Sequence, residues 1–282
     1  MALLYGKPVA DKILAETKAR IRKVGISPGL AVILVGDDVS SHLYVNLKEK
    51  AAQSVGIHFE KYCFPKITAG EEIFQCIKKL NQREDMHGII VQLPLPLGFP
   101  TDEIIAYIDP RKDTDGFHPE TIKQFLAGKR SACPVFPRAM IELMFSGQDR
   151  YVGEKGLVLA NSELLGTVLA QALILEGLRA EYILSREKSE IIFTKIKEAR
   201  VIFSACGISD MITGEMISDG VTVIDGGISH RDGKVVGDAE RASVEKKARF
   251  LSPVPGGVGP VTVATLLARV TEQALIKFYD IF

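Results

Sequence analysis

The sequence predicts an α/β protein built as two lobes around a cleft. Continuous apolar runs such as LAVILVG (30–36) and GIIVQLPLP (88–96) are typical of strands that are buried on both faces of a parallel sheet. Segments with helical spacing separate these runs, and the same alternation begins again in the second half of the chain. The length of 282 residues is long for one compact domain and typical of two.

In the first half, apolar residues at helical spacing predict a helix that ends at Gly25. The later predictions for this half are a strand at 30–36, a helix at 41–55 ended by Gly56, a strand at 57–64, a helix at 71–81 and a strand at 88–96 halted by Pro94 and Pro96. The segment 98–150 is richer in proline, glycine and charge, and we expect two helices among its loops.

The second half predicts a Rossmann-like series. Its strands are expected at 155–160, 180–185, 200–206 and 221–227, with a helix at 163–176, a rigid loop at 252–260 and a final helix at 261–278. We predict one domain from residues 1–137 with 261–282, to which the C-terminal helix returns, and a second, Rossmann-like domain from residues 138–260.

Composition excludes several classes of function. Lys plus Arg and Asp plus Glu number 35 each, so no net positive field favours nucleic acid or an anionic membrane as a partner. Neither a signal peptide nor a transmembrane run is visible, and we expect a soluble cytoplasmic protein. Cysteines 63, 76, 133 and 206 are scattered and are expected as buried small side chains in a reducing compartment. Without HExxH or a Cys/His cluster, no metal is expected.

Tyr44 and Lys48 are separated by one helical turn, so they share a helix face. Ser40 or Ser41 is the predicted N-cap of this helix. A lysine whose pKa is lowered by burial can act as an acid or a base beside a phenol. The alternative is an ordinary amphipathic surface helix with a snorkelling tyrosine.

Two further polar features are candidates for ligand binding. Gln92 ends an otherwise apolar strand, where its amide could bind a heterocycle or could pair with local backbone. In PRKDTDGFHP (110–119), a carboxylate of Asp113 or Asp115 could accept two N–H groups from an aminopyrimidine-like ring. An Asx-type turn is the competing interpretation of this motif.

The loop PVPGGVGP (253–260) combines paired glycines, which permit positive φ or close backbone approach, with prolines that restrict the chain. It could present backbone groups to a flat ligand, or it could be a rigid interdomain turn.

The turn ANSELLG (160–166) follows a predicted strand at the place of a dinucleotide turn, but it keeps only Gly166. Ser162 could cap the helix or contact phosphate, and a plain strand–helix turn remains an alternative. Ser185 and Arg186, after the next strand, could hold a 2′-phosphate, which favours NADP over NAD.

Taken together, six segments resemble the bifunctional methylenetetrahydrofolate dehydrogenase/cyclohydrolase (FolD-type) family over about residues 3–275. They are SSHLYVNLKEKAAQSVGI, GIIVQLPLPL, PRKDTDGFHP, VIDGGIS, GKVVGD and LSPVPGGVGPVTVATLL. The resemblance implies NADP-dependent oxidation of 5,10-methylenetetrahydrofolate to 5,10-methenyltetrahydrofolate, and hydrolysis of that product to 10-formyltetrahydrofolate. It implies an oxidoreductase and hydrolase of one-carbon metabolism and purine biosynthesis, with no metal, that forms homodimers through the nucleotide domain.

The resemblance also implies roles for individual residues. Lys48 resembles the catalytic lysine, and Tyr44 the aromatic side chain that lines the folate site. Gln92 resembles the residue that pairs with Lys48, and Asp115 the carboxylate that binds the pterin. The implied substrate-binding residues are Ser41, Tyr44, Pro255, Gly256 and Gly257. The implied cofactor-binding residues are Ala160, Asn161, Ser162, Gly166, Ser185, Arg186 and Ile228.

The departures from the family pattern are concentrated on the nucleotide side. PVFPRA (134–139) replaces the usual P-C-T-P-x-G, Ala160 replaces a glycine, Glu187 adds an acid after the second strand, and Arg269 replaces an asparagine. The methyl group of Ala160 could hinder a pyrophosphate, and Glu187 would repel a phosphate. Three hypotheses follow, namely a bifunctional enzyme, a cyclohydrolase alone and a non-catalytic folate-binding protein. Retention of Lys48 argues against the last.

Overall fold

The structure is a computed structural model of the chain and describes residues 2–280. Met1, Ile281 and Phe282, at the ends of one predicted domain, lie outside the described residues. The α-helices are α1 Gly6–Val24, α2 Val39–Val55, α3 Gly70–Gln82, α4 Thr101–Ala106, α5 Pro119–Leu126, α6 Val135–Phe145, α7 Glu163–Leu175, α8 Ser189–Glu198, α9 Arg241–Val244 and α10 Val258–Asp280. The strands are β1 Ala2–Leu3, β2 Gly29–Val35, β3 His58–Phe64, β4 Gly88–Val91, β5 Lys155–Ala160, β6 Arg179–Leu184, β7 Val201–Ala205, β8 Thr222–Asp225, β9 Ser229–Arg231, β10 Lys234–Val236 and β11 Phe250–Leu251.

The described chain forms two compact units, which we name by their sheets. The six-stranded unit contains the chain up to Ala10 and Phe125–Thr262. The three-stranded unit contains Asp11–Gln124 and the chain from Val263 onward. The predicted domain boundaries at 137/138 and 260/261 stay a prediction.

The six-stranded unit contains a parallel sheet in the order β1-β11-β8-β7-β5-β6. The chain passes from β5 to β6 on one side and then crosses to β7 on the other side of β5. The carboxyl ends of β5 and β7 are therefore the switch point at which sheets of this kind bind ligands. Apolar side chains from these strands pack with those of α8 and α9 into one core, and the Rossmann-like prediction is confirmed.

The three-stranded unit contains a parallel sheet in the order β3-β2-β4. Every residue of β2 is buried, as its continuous apolar run predicts for a central strand. Side chains of β2 and β4 pack against α3 and α4. The chain moves from β2 to β3 and then to β4 on the opposite side, so this sheet also has a switch point at its carboxyl edge.

Several predicted boundaries and environments are wrong. The segment 98–150 contains α4, α5 and α6 and a 3₁₀ turn at Arg130–Ala132, rather than two helices. Strand β4 ends at Val91, where its pairing with Ile33 of β2 ends. Helix α10 begins at Val258, inside the predicted rigid loop, because the first helical turn tolerates Pro260.

The four cysteines have free thiols but differ in their environments. Cys206 is buried as expected, Cys76 and Cys133 are partly buried, and Cys63 is exposed. Cys63 lies on β3, an edge strand whose side chains are only partly covered, so its predicted burial is wrong. Within residues 2–280, no helix has both the length and the apolar character needed to span a bilayer.

Candidate functional site

Helix α2 begins earlier than predicted, and this changes the roles of two serines. Asp38 is its N-cap and accepts a hydrogen bond from the backbone N–H of Ser41 at 2.7 Å. Ser40 and Ser41 therefore lie in the first turn, and their predicted capping role is wrong because the longer-reaching Asp38 already occupies that position. Gly56 ends the helix with φ +91°, as expected for a C-terminal glycine.

Lys48 lies on the buried face of α2, with 8% of its surface exposed. Its Nζ donates a hydrogen bond to Oε1 of Gln92 at 2.9 Å. The Gln92 Nε2 donates to the carbonyl oxygen of Leu93 at 2.8 Å. The Gln92 amide therefore pairs both with Lys48 and with local backbone, at the switch point between β2 and β4.

The two aspartates of the 110–119 motif have different environments. Asp113 is 2% exposed and accepts hydrogen bonds from the backbone N–H groups of Gly116 at 3.0 Å and His118 at 2.9 Å. This pattern is the predicted Asx-type turn. Asp113 also pairs with Ile89 of β4 through an isolated parallel bridge, so Asp115 follows at the carboxyl end of β4. The turn and the candidate ligand-binding carboxylate thus belong to different residues of one motif.

The buried amine and the neighbouring carboxylate change each other's titration. Burial lowers the pKa of Lys48, and the charge of Asp115 partly opposes that change. Burial raises the pKa of Asp115, whereas the charges of Lys48 and Arg269 lower it and that of Asp113 raises it. Burial also raises the pKa of Tyr44, which lies one turn before Lys48 and is half-buried. Lys48 consequently spends more time as a neutral amine than an exposed lysine does, and a neutral amine can accept a proton.

Helix α10 holds the aspartate motif in place through Gln273, which sequence reasoning missed. The Gln273 Nε2 donates to the carbonyl oxygens of Arg111 and Asp113, both at 3.2 Å. Its Oε1 accepts from the hydroxyl of Thr114 at 3.1 Å. Arg269 precedes Gln273 by one turn and therefore shares its helix face. The i,i+4 spacing of Arg269 and Gln273 was a local signal in the sequence that the two side chains share a helix face.

In the loop 253–260 of the six-stranded unit, the adjacent glycines Gly256 and Gly257 have different structural roles. Gly256 has φ +103°, and its carbonyl oxygen accepts a hydrogen bond from Gly6 N–H at 2.8 Å. A Cβ on Gly257 would lie 2.6 Å from the carbonyl oxygen of Pro253. Positive φ and close backbone approach, both expected from the sequence, therefore occur at successive residues. Pro255 is exposed beside them.

The turn after β5 combines a buried residue with an exposed helix start. Ala160 has no exposed surface, so its methyl group adds no bulk to the outside of the turn. The structure therefore gives no support for the expected obstruction of a pyrophosphate by this methyl group. Asn161 and Ser162 are exposed, and Ser162 caps α7 by accepting a hydrogen bond from Leu165 N–H at 3.4 Å. A Cβ on Gly166 would lie 2.5 Å from Tyr182 Cδ2, so glycine permits α7 to pack closely on β6.

The remaining predicted cofactor residues lie at other strand ends of the same unit. Ser185 and Arg186 follow β6, and Ile228, after β8, is 46% exposed. Arg186 forms an ion pair with Glu163 of α7, with Nη2 and Oε1 3.6 Å apart. An exposed helix N-terminus and a nearby guanidinium fit the phosphate groups of a dinucleotide. Among the described residues, no group of three or more His, Cys, Asp or Glu side chains could hold a metal ion.

The fold and the site together define a class of protein. One unit is a parallel Rossmann-like sheet with an exposed helix start at its switch point. The other unit carries buried Lys48, paired with half-buried Gln92 and with a carboxylate as neighbour, at its own switch point. These features are typical of two-domain α/β enzymes that use a dinucleotide cofactor.

The comparisons identify the family. Residues 4–115 match the catalytic domain of tetrahydrofolate dehydrogenase/cyclohydrolase, and residues 134–278 match the NAD(P)-binding domain of the same enzyme family. The chain belongs to the tetrahydrofolate dehydrogenase/cyclohydrolase family, which confirms the resemblance.

Curated relatives and solved structures agree with this assignment. The bifunctional protein FolD of Geotalea daltonii is 39% identical over 277 residues, which cover 96% of this chain and 98% of the relative. The crystal structure of bifunctional FolD from Campylobacter jejuni has a TM-score of 0.93 and 34% identity, and covers 98% of this chain and 99% of its own. The FolD structure from Trypanosoma brucei, complexed with NADP and an inhibitor, has a TM-score of 0.93 and 29% identity. The match covers 99% of this chain and 98% of the Trypanosoma brucei chain.

Proposed function

We propose that this enzyme oxidises 5,10-methylenetetrahydrofolate with NADP and hydrolyses the resulting 5,10-methenyltetrahydrofolate to 10-formyltetrahydrofolate. The observation that carries this proposal is the 2.9 Å hydrogen bond between buried Lys48 and Gln92, in a chain of this family. Burial lowers the pKa of Lys48, so its amine is neutral, and able to accept a proton, more readily than the amine of an exposed lysine. The substrate-contacting role of Asp115 is part of the same proposal.

For the hydrolytic step, each of the three side chains has a separate task. Lys48 accepts a proton from the water that adds to the electrophilic methenyl carbon, and it returns a proton to the departing nitrogen. Gln92 holds the Lys48 amine in one position through its amide oxygen. The Asp115 carboxylate accepts N–H groups of the pterin ring and so orients the substrate. Ser41 and Tyr44 complete the proposed substrate-binding surface of α2.

For the oxidative step, bound NADP would supply the acceptor for the hydride that leaves the methylene carbon. The exposed start of α7, at Asn161 and Ser162, would bind the pyrophosphate through backbone N–H groups. Ser185 and Arg186 would bind the 2′-phosphate. Ala160 and Gly166 shape the turn beneath these groups.

The remaining proposed contacts come from loops of the six-stranded unit. Ile228 would contact the cofactor through its exposed side chain. Pro255, Gly256 and Gly257 would contact the folate through a loop whose conformation is restricted by its own backbone contacts. We also propose the domain division 1–137 with 261–282 and 138–260.

Two spectrophotometric assays test the proposed function. One follows NADP reduction with methylenetetrahydrofolate, and the other follows hydrolysis of methenyltetrahydrofolate without a cofactor. Lys48→Met should reduce hydrolysis by about two to four orders of magnitude while folate binding persists, because it removes the proton-accepting amine. Lys50→Met is the matched control, since Lys50 is exposed on the same helix and should retain activity. A Lys48→Met enzyme that hydrolyses at the parental rate would contradict the proposal.

A cyclohydrolase without the dehydrogenase activity is the second candidate function. The observation in its favour is the Arg186–Glu163 ion pair, which engages the cation proposed for the cofactor phosphate. Hydrolysis without detectable NADP reduction or NADP binding would favour this candidate over the bifunctional enzyme.

We further propose that the enzyme acts as a homodimer in the cytoplasm, where its product supplies one-carbon units for purine biosynthesis. The proposed interface belongs to the six-stranded unit, whose sheet ends at the open edge of β6. Sedimentation analysis at assay concentrations tests the dimer, and a monomeric mass would exclude it. We propose that neither nucleic acid nor a membrane is a partner of this enzyme.

A further inference from the structure

The ion pair between Glu163 and Arg186 lies where β5 and β6 end side by side. Ala160, the last residue of β5, pairs with Leu184, the last residue of β6. Ser185 N–H continues this pairing by donating to the carbonyl oxygen of Ala160 at 2.9 Å. The segments that follow the two strands are therefore neighbours. This geometry brings the first residue of α7 close to the arginine after β6.

Two anionic groups would compete for the guanidinium of Arg186, namely the Glu163 carboxylate and the 2′-phosphate of NADP. The carboxylate Oε1 of Glu163 lies 3.6 Å from Nη2 of Arg186, and both side chains are largely exposed. A ribose 2′-phosphate carries about 1.5 to 2 negative charges near neutral pH, as phosphate monoesters do, and it needs the same cation. The unphosphorylated 2′-hydroxyl of NAD does not need that cation. Any group that engages Arg186 therefore affects binding of the two cofactors unequally.

We propose that Glu163 is a specificity-determining residue that weakens the preference for NADP over NAD by holding Arg186. The inference rests on the proposed function and extends it to the choice of cofactor. To bind the 2′-phosphate, Arg186 must leave Glu163 or share its guanidinium with it, and in either case the carboxylate remains beside an anionic ligand. Binding of NAD leaves the ion pair intact.

An acid in the first helical turn also has an ordinary structural effect, since it interacts favourably with the helix dipole. Removing Glu163 would then change the stability of α7 and the binding of both cofactors to a similar degree. The ratio of the two affinities separates the explanations, because a change in helix stability does not distinguish NADP from NAD.

The experiment measures dissociation constants of NADP⁺ and NAD⁺ by calorimetry on the full chain. Glu163→Gln should raise the affinity ratio for NADP over NAD by about three- to tenfold at low ionic strength, as expected for exposed charges a few ångströms apart. The gain should shrink in about 0.5 M salt, because the Debye length is then only a few ångströms. Glu154→Gln is the matched control, since Glu154 is exposed and precedes the opposite end of β5. This control should leave the ratio unchanged.

Arg186→Ala provides the second comparison. If Glu163 acts through Arg186, then Glu163→Gln should change the affinity ratio much less in the Arg186→Ala background. An unchanged ratio in Glu163→Gln alone, or an equal gain in both backgrounds, would overturn the inference. The cofactor-free hydrolysis assay reports separately on the folate site. Loss of the proposed function there is therefore distinguishable from failure of this inference.

Discussion

The carboxyl group of Asp225, at the end of β8, is the basis of a quantitative prediction about stability and pH. Asp225 is 2% exposed, and its two oxygens accept hydrogen bonds from Gly227 N–H at 2.9 Å and Ala239 N–H at 2.8 Å. Asp238 is fully buried nearby and accepts a hydrogen bond from Ser204 Oγ at 2.6 Å. Burial, followed by the charge of Asp238, raises the pKa of Asp225 to about 7.

The direction of the pH effect follows from this shift. The ordinary pKa of the Asp225 carboxyl is 3.8, so the folded state keeps a proton that the unfolded state has lost between pH 3.8 and about 7. The contribution of Asp225 to stability is therefore greatest at low pH and falls as pH rises through this window. A shift of about three pKa units corresponds to about 4 kcal/mol in all, and to about 3 kcal/mol between about pH 5 and about pH 8.

Asp225→Asn removes the titrating group but keeps its size. Asparagine can accept only one of the two backbone hydrogen bonds through its side-chain oxygen, which costs about 1–3 kcal/mol at every pH. Chemical denaturation of both proteins should show that the parent loses about 3 kcal/mol relative to the variant between about pH 5 and about pH 8. Asp219→Asn, an exposed change of equal charge in the same unit, should track the parent. A parent–variant difference that is constant over this range would refute the reasoning.

Three more predictions follow from the packing and electrostatics. Gly166→Ala should lower the free energy of unfolding by about 1–2 kcal/mol, because the new Cβ would lie 2.5 Å from the Tyr182 ring. The cost of this clash exceeds the gain in helix propensity. A denaturation midpoint at or above the parental value would contradict this. Arg269→Gln should raise the pKa of Asp115, because it removes a positive charge that favours the carboxylate. The acidic limb of the pH profile of hydrolysis should therefore move to higher pH. An unmoved limb would exclude an electrostatic effect of Arg269 on Asp115. Asp38→Ala should cost about 1 kcal/mol through loss of the α2 cap, and an unchanged unfolding free energy would show that another group caps the helix.

Local features of the sequence were sufficient to predict most of the elements and the centre of the candidate site. The apolar run at 155–160 coincides with β5, and Gly25 and Gly56 follow the last residues of α1 and α2. Tyr44 and Lys48 share a turn of α2, since a spacing of four residues is a property of the helix itself. The family was also recognisable from its motifs, because these consist of short contiguous segments.

Other features depend on residues that are distant in the chain, and only the tertiary structure decided them. Whether Asp113 or Asp115 forms the turn depends on the bridge to Ile89 in β4. The contact of Glu163 with Arg186 depends on the register of β5 and β6.

The physical reason is that charge and burial act through space, whereas sequence patterns report only on neighbours along the chain. The sequence by itself determined which side chains are available and which helix or strand each one occupies. The tertiary structure decided which carboxylate is buried beside a second acid, as Asp225 is beside Asp238. It also decided which amine is desolvated and hydrogen-bonded to an amide, as Lys48 is to Gln92. Desolvation and pairing then set the protonation of these groups, on which their chemistry depends.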